Sequence, residues 1–329
     1  MLAAVLALNI AAWAAAISLF HNHALLFGSA LLAYGLGLRH AVDADHIAAI
    51  DNVTRKMMQD GKRPAAVGLF FSLGHSTIVV SVSLVLAIGA AGLKARLAIL
   101  TDFGIVFGMA ISAAFLLVLA ALNMAVFYAT LRTFRRTKRE GLYREDDLAV
   151  LNRGPLGRLF LRLFRLVNHS WHMYPIGVLF GLGFDTATEI GLLGLSAAQG
   201  ARGLPLWTIM MFPALFTAGM SLIDTIDSVL MVQAYGWALI KPLRKLYYNL
   251  TVTGLSVAVA LAIGGVEMLA LLRDRLNLSG SFWRAVALAG SNLGMLGYLI
   301  IALFAVNWAV SVLIYKLKGY DHIPLEAVE

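Results

Sequence analysis

Four short stretches of this sequence place imidazoles and carboxylates at helical spacing inside apolar runs. The first reads Arg39-His40-Ala41-Val42-Asp43-Ala44-Asp45-His46. The others are Gly74-His75-Ser76, Asp185-Thr186-Ala187-Thr188-Glu189 and Asp224-Thr225-Ile226-Asp227. The runs around them are long enough to span a membrane. There a charge costs about 2.5–3.5 kcal/mol even on the lenient insertion scale. For the six acids Asp43, Asp45, Asp185, Glu189, Asp224 and Asp227 the total is roughly 15–20 kcal/mol if nothing compensates. That exceeds the usual net stability of a fold, about 5–15 kcal/mol. Apart from Arg39, no Lys or Arg falls within these runs. The groups must face one another, water or a cation, and the missing counter-charge points to a cation supplied from outside.

The ligand types narrow the cation. Imidazole suits first-row transition ions, whereas carboxylate and carbonyl sites suit Mg²⁺ and Ca²⁺. His40, His46 and His75 with carboxylates, in a chain without Cys, fit Ni²⁺, Co²⁺ or Zn²⁺. Cu(I) would prefer sulfur, and most of the 12 Met stand singly in apolar runs as gap fillers. Geometry adds a constraint. His40 and His46 are six apart, about 9 Å along a regular helix and about 120° around it. Two nitrogens on one ion must lie within about 4 Å of each other. Either the helix is distorted here or the two histidines act at different steps. Gly35 and Gly37 just upstream favour a break, as in transporters that bind ions at interrupted helices. His40 with Asp43, and Asp43 with His46, are i,i+3 pairs that can share a face. Asp185 with Glu189, and Asp224 with Asp227, are like-charged pairs on one face. Such pairs cannot both ionise cheaply without a cation, so they are candidate proton carriers or orienting partners.

Each of these residues also has a structural role open to it. Asp43 and Asp45 can pair with Arg39. His75 can make a helix contact through Ser76 and Thr77. The later acids can bond Thr186, Thr188 and Thr225. Elsewhere, His21 and His23 read as an outer turn, His169 and His172 beside Trp171 as interfacial anchors, and Glu267 as a side chain snorkelling outward.

The elements that must position these residues follow from composition. The 329 residues are 60% hydrophobic and only 13% charged, with mean hydropathy +0.81. So few charges cannot cover a water-facing surface, which excludes soluble enzymes and disordered chains. The absence of Cys excludes disulfides and thiolate sites. Eight spans are predicted, at 2–20, 24–50, 65–91, 102–131, 175–199, 205–235, 246–272 and 283–315. The second is taken to leave the membrane at Asp51-Asn52-Val53-Thr54-Arg55-Lys56. The fold class is therefore all-α: a polytopic integral membrane bundle of eight transmembrane helices. It forms a single transporter domain over 1–329 with a basic cytoplasmic loop at about 132–174. The last part of that loop reads as a basic amphipathic helix against lipid headgroups.

Net charge is +8. Nineteen Lys and Arg fall on one set of connections and six on the other, so both termini are placed in the cytoplasm and no nucleic acid is called for. The first span has no basic residues before it and reads as a retained helix rather than a signal peptide. Asp43-Ala44-Asp45-His46-Ile47 is similar to Asp185-Thr186-Ala187-Thr188-Glu189-Ile190. Phe71-Ser72-Leu73-Gly74-His75-Ser76 is similar to Phe216-Thr217-Ala218-Gly219-Met220-Ser221. The paired spans lie three helices apart, the pattern of an inverted repeat.

Taken together, the four stretches resemble the motif blocks of the nickel/cobalt transporter (NiCoT) family. Arg39 to Ile47 resembles its His-x4-Asp-His signature. Leu73 to Thr77, Leu182 to Glu189 and Gly219 to Asp227 resemble the other three blocks, in order and each inside a predicted span. The resemblance implies high-affinity uptake of Ni²⁺, and often Co²⁺, across the bacterial inner membrane without an ATPase subunit or cofactor. It also implies that His40, Asp45 and His46 are essential for transport and that His75 is the histidine of the second block. The N-terminus departs from the family in lacking the usual polar leader. Ion preference, driving force and oligomeric state are not implied. Efflux is the alternative direction, although exporters carry His-rich loops and no His tract is present here. Membrane metalloenzymes are not expected: the eight His are scattered, and His-Glu-x-x-His does not occur.

Overall fold

The computed structural model describes residues 1–88, 94–140, 142–143, 167–182, 187–238, 242–317 and 326–327. Asp185 and the amphipathic stretch expected before residue 166 lie outside them. The described residues are almost entirely helical. The helices are α1 (Leu2–Phe20), α2 (Ala24–His40), α3 (Ala44–Gln59), α4 (Val67–Ile88), α5 (Lys94–Glu140), α6 (Met173–Gly181), α7 (Ala187–Ala201), α8 (Leu206–Ile209), α9 (Met211–Ala238), α10 (Pro242–Leu276), α11 (Ser281–Ser291) and α12 (Leu293–Leu317). The other regular elements among the described residues are a 3-10 turn at Ser170–His172 and a two-residue parallel pairing of Leu142 with Glu326 and Tyr143 with Ala327.

Five of these helical stretches are long and apolar enough to cross a membrane, or seven if each bent pair counts as one. Large apolar side chains such as Leu25 (82% exposed) and Ile10 (69%) point outward, which lipid tolerates and water does not. Span 2–20 coincides with α1. Span 102–131 is outrun at both ends by the 47 residues of α5, which carries the start of the basic loop as helix to Glu140. Two spans are not straight. α2 and α3 meet at 51°, and α11 and α12 at 76°. The stretch 175–199 falls on α6 and α7, which end and begin at Gly181 and Ala187.

The residues expected to form the exit of the second span are buried inside a helix that runs on to Gln59. Asp51, Asn52, Thr54 and Arg55 are each at most 1% exposed inside α3. Nothing before Gly61 stops a helix. Gly61 takes φ +75 and follows the end of α3, as a left-handed residue does after a C-cap. Several polar side chains of this segment bond one another and α10, while Thr54 Oγ1 and Arg55 Nε stay buried without a partner among the described residues. Arg55 Nη1 donates to Thr253 Oγ1 (2.9 Å) and Nη2 to Asn52 Oδ1 (3.0 Å), while Ser256 Oγ donates to Asp51 Oδ2 (2.6 Å). The expectation for Glu267 is corrected. It is 2% exposed and accepts from Ser112 Oγ (2.9 Å) between α5 and α10, instead of snorkelling.

α9 is the hub, packed against α1, α2, α3 and α4. α1 is tied in by Asn9, which donates to Ala218 O of α9 (3.1 Å) and accepts from the Tyr34 hydroxyl of α2 (3.0 Å). Backbones touch where glycine removes the side chain. A Cβ at Gly37 of α2 would collide with the Phe216 carbonyl of α9, and one at Gly219 of α9 would lie 2.8 Å from the Tyr34 carbonyl. Without a hydrophobic force between helices in lipid, such close packing holds the bundle. Gly37 thus serves contact, and the break in the second span comes later, at Ala41–Asp43.

Gly37→Ala should force α2 from α9 and cost about 1–3 kcal/mol, read as a fall of several degrees in the melting temperature of the purified protein. Gly35, two residues away, has nothing within 4 Å of its Cβ position. Gly35→Ala should leave the melting temperature unchanged or raise it, since alanine favours helix by up to ~1 kcal/mol. Equal melting of both variants would show that the close contact carries no stability.

Candidate metal centre

The centre forms where the second span breaks. α2 ends at His40, and Val42 N–H and Asp43 N–H bond the carbonyls of Arg39 and His40 (3.2 and 2.9 Å) in a tightened turn. Asp43 is extended (φ −65, ψ 147), and α3 starts at Ala44 in a new direction. α12 presses Gly297 against the Val42 carbonyl at the corner. The bend brings the imidazoles of His40 and His46 to 4.6 Å between ring centroids, which no straight helix allows. Of the two readings of their spacing, the distorted helix is the one observed.

α4 supplies the third ring. His75 lies 4.8 Å from His40 and 5.0 Å from His46 between centroids. The three histidines are each at most 2% exposed. Each offers one ring nitrogen, and these three nitrogens lie within 4.8 Å of one another. His40 Nε2 and His75 Nε2 stand 3.0 Å apart, and Glu189 Oε1, from the first turn of α7, is 2.8 Å from the latter. Three acceptor-capable atoms converge on one point with at most a proton or two among them. A cation at about 2 Å from each nitrogen would replace those protons and need only a small contraction of the triad.

Carboxylates set the outer nitrogens. His40 Nδ1 faces Asp43 Oδ2 at 3.0 Å, and His46 Nδ1 faces Asp224 Oδ2 at 3.3 Å. An Nδ1–H donated to a carboxylate leaves the Nε2 lone pair for a metal and raises its basicity. His46 Nε2 is buried without a hydrogen-bond partner among the described residues. Asp43 spends its other oxygen on Arg39 Nη1 (2.6 Å), and Arg39 also lies over the Tyr298 ring at 5.3 Å. The pairing with Arg39 and the orienting role are therefore both realised, and both oxygens of Asp43 are engaged. Ser72 Oγ donates to Asp224 Oδ2 (2.8 Å), and Thr188 Oγ1 lies 3.1 Å from His40 Nδ1.

Of the nine predicted site residues, the structure brings together His40, Asp43, His46, His75, Glu189 and Asp224. Asp45 is adjacent, half-buried in the first turn of α3, where a carboxylate suits the helix dipole. Asp227 lies one turn beyond Asp224, with Oδ2 buried and unpartnered among the described residues. Asp185 is outside the described residues. His21 and His23 are exposed, as the outer turn predicts; His172 is half-buried and accepts from Asn168 N–H (3.1 Å).

Two aromatic residues were not legible as part of the site. Phe216 lies 5.5 Å from His40, and Phe71 meets His46 edge-on at 4.8 Å. Both are fully buried and pack on different rings of the triad. Their only sequence signal is that they sit at matching positions of the repeated Phe-x-x-Gly segments.

The family model described as NicO, high-affinity nickel-transport protein, matches residues 26–314. The chain is 54% identical over 327 residues to a high-affinity nickel transport protein of Cupriavidus necator, covering 99% of this chain and 93% of the relative. It is 47% identical to the nickel transporter NicT of Mycobacterium tuberculosis (96% and 87% covered). It is 40% identical to the cobalt transport protein NhlF of Rhodococcus rhodochrous (89% and 84%). No solved structure matches the chain.

Replacing His75 by Ala should abolish nickel binding measured by calorimetry on the purified protein. Asp224→Asn should weaken it about 10–100-fold, the usual effect of removing a carboxylate behind a ligating histidine. Unchanged affinity in His75→Ala would remove the triad as the metal site.

Proposed function

The chain belongs to the NicO high-affinity nickel-transport family, and from that premise we propose that it is a secondary transporter importing Ni²⁺, and also Co²⁺, across the bacterial inner membrane. The observation that carries the reading is the convergence of His40, His46, His75 and Glu189 at a break in an apolar span, with Asp43 and Asp224 behind two of the rings. Three imidazoles and a carboxylate suit first-row divalent ions. The names of the relatives supply nickel and cobalt.

In this reading His40, His46, His75 and Glu189 hold the ion, and Asp43 and Asp224 orient the rings. Asp45, Asp185 and Asp227 belong to the path or carry protons. Counting each bent pair as one span, and α6 with α7 as another, gives eight spans and puts both termini on one side, the cytoplasmic side by the distribution of basic residues. The whole chain is then one transporter domain, with the basic stretch 132–174 as its inner loop. α2–α3 and α6–α7 stand as the interrupted helices of an inverted repeat, and α4 and α9 as their partners, with the ion near the shared midplane.

Phe216 and Phe71 seal the ion on both sides, so alternating access requires one aromatic layer to part while the other stays closed. No step calls for an ATPase subunit. The three relatives named above are transport proteins by name, and efflux gains no support from them.

Cells expressing the chain should accumulate radioactive nickel, and His46→Ala should return accumulation to background. Equal accumulation by the variant, or protection of cells against nickel instead of sensitisation, would sink the import reading. Collapsing the pH gradient should lower the initial rate severalfold; an unchanged rate would remove proton coupling and leave import standing.

A further inference from the structure

Away from the histidines, a cleft of about 410 Å³ opens among α3, α5, α6 and the residues before α6. Its wall is Phe115, Val118, Leu119 and Leu122 of α5 with Ile176 of α6, and at one end stand Lys56, Trp171 and His172. From Phe115 to Asn123 the cleft follows α5 for about 12 Å, at 1.5 Å per residue. It begins within the apolar span of α5 and ends at the basic end of α3. Val118 (42% exposed) and Trp171 (56%) border it on the outer surface of the bundle. Its mouth therefore faces sideways, where the apolar surface of the chain faces lipid.

The chemistry of the two ends differs. Lys56 Nζ donates to Val167 O (2.8 Å) and Lys62 Nζ to Asn168 O (2.7 Å), which holds both ammonium groups beside the segment that precedes α6. From residue 55 to 63 there are four basic side chains, Arg55, Lys56, Lys62 and Arg63, against one acid, Asp60. Trp171 is exposed at this end, and an indole favours the boundary between headgroups and chains. A hydrated divalent cation has no reason to settle between leucines beside a lysine, because its charge would be neither solvated nor paired. A volume of this size is ordinary for a small amphiphilic ligand. Basic pockets at the ends of transmembrane helices take anionic headgroups.

We propose that this cleft is a binding site for an anionic phospholipid, one acyl chain lying along Phe115, Leu119 and Leu122 and the phosphate at Lys56 and Lys62. The site adjoins the metal centre through a row of rings. Phe115 meets Phe180 at 5.6 Å, Phe180 meets Phe71 at 5.2 Å, and Phe71 meets His46 at 4.8 Å. The acyl chain fills the space behind the outermost ring of that row.

The test needs no metal, so it stands or falls apart from the transport reading. The purified full chain in mild detergent is mixed with equimolar dioleoyl phosphatidylglycerol and dioleoyl phosphatidylcholine, and adducts are counted by native mass spectrometry. The phosphatidylglycerol adduct should exceed the other by about fivefold or more, since one basic side chain near an anionic headgroup contributes ~1 kcal/mol. Lys56→Gln keeps a donor for the Val167 carbonyl and removes the charge. It should cut the preference by about fivefold while phosphatidylcholine still binds. Val118→Trp places a ring across the mouth at a lipid-facing position and should reduce both adducts together. No preference in the wild-type chain, an unchanged preference in Lys56→Gln, or full adducts in Val118→Trp eluting as a single sharp species would each overturn the site.

Discussion

The structure depends on the cost of holding imidazoles and carboxylates out of water. His40, His46, His75, Glu189 and Asp224 are all essentially unexposed in the interior of an apolar bundle. Their hydrogen bonds account for only part of that cost. His46 Nε2, His75 Nδ1 and Asp224 Oδ1 are buried with no hydrogen-bond partner among the described residues. A buried polar atom without a partner costs about 1–3 kcal/mol. A divalent ion at the point where the ring nitrogens converge would supply the missing opposite charge. An apolar redesign of the same positions would be more stable and would bind nothing. In the proposed function, the bundle keeps an unfavourable cluster because an ion completes it.

The rest of the fold holds that cluster in register. The 51° corner between α2 and α3 puts two histidines six residues apart on the same point, and Asp43 stabilises the corner by bonding Arg39 with one oxygen and His40 with the other. Glycines let the neighbouring helices come close enough for α4 and α9 to reach the same point. A Cβ at Gly68 of α4 would strike the carbonyl of Asp224 itself, so the backbone of α4 is in contact with the residue that orients His46. Apolar clusters on either side end in Phe216 and Phe71 against the rings. Positioning is thereby done by backbone contact and by rigid aromatic packing, which fixes side chains better than long flexible residues would.

The polar interior of α3 extends this arrangement. Asp51, Asn52 and Arg55 continue the helix that carries His46, bonded to α10 and to one another. A buried guanidinium in this place supplies positive charge that the apolar runs seemed to lack. It lies more than two turns beyond His46 along α3, so it leaves the ion site itself to be neutralised by its guest.

What the sequence determined by itself was the solvent, the chemistry and most of the spans. Low charge and long apolar runs pointed to a helical membrane bundle, because lipid leaves backbone groups only helices or closed barrels in which to pair, and the runs lack the alternation of barrel strands. Imidazoles and carboxylates without Cys fit a first-row divalent ion better than Cu(I), Mg²⁺ or Ca²⁺. The burial of 51–56 inside α3 was not legible, because polar residues look alike whether they are solvated or line a buried helix; only the absence of a helix stop before Gly61 points to the continued helix. Tertiary structure alone decided that His40 and His46 meet, since their spacing allowed both a bend and a straight helix. The bend depends on Gly297 of α12 packing against the Val42 carbonyl, a contact 255 residues away in sequence. It also decided that Asp43 meets the outer nitrogen of His40 while Glu189 meets Nε2 of His75, because helical spacing fixes which side chains share a face of one helix, and only packing fixes which helices that face meets.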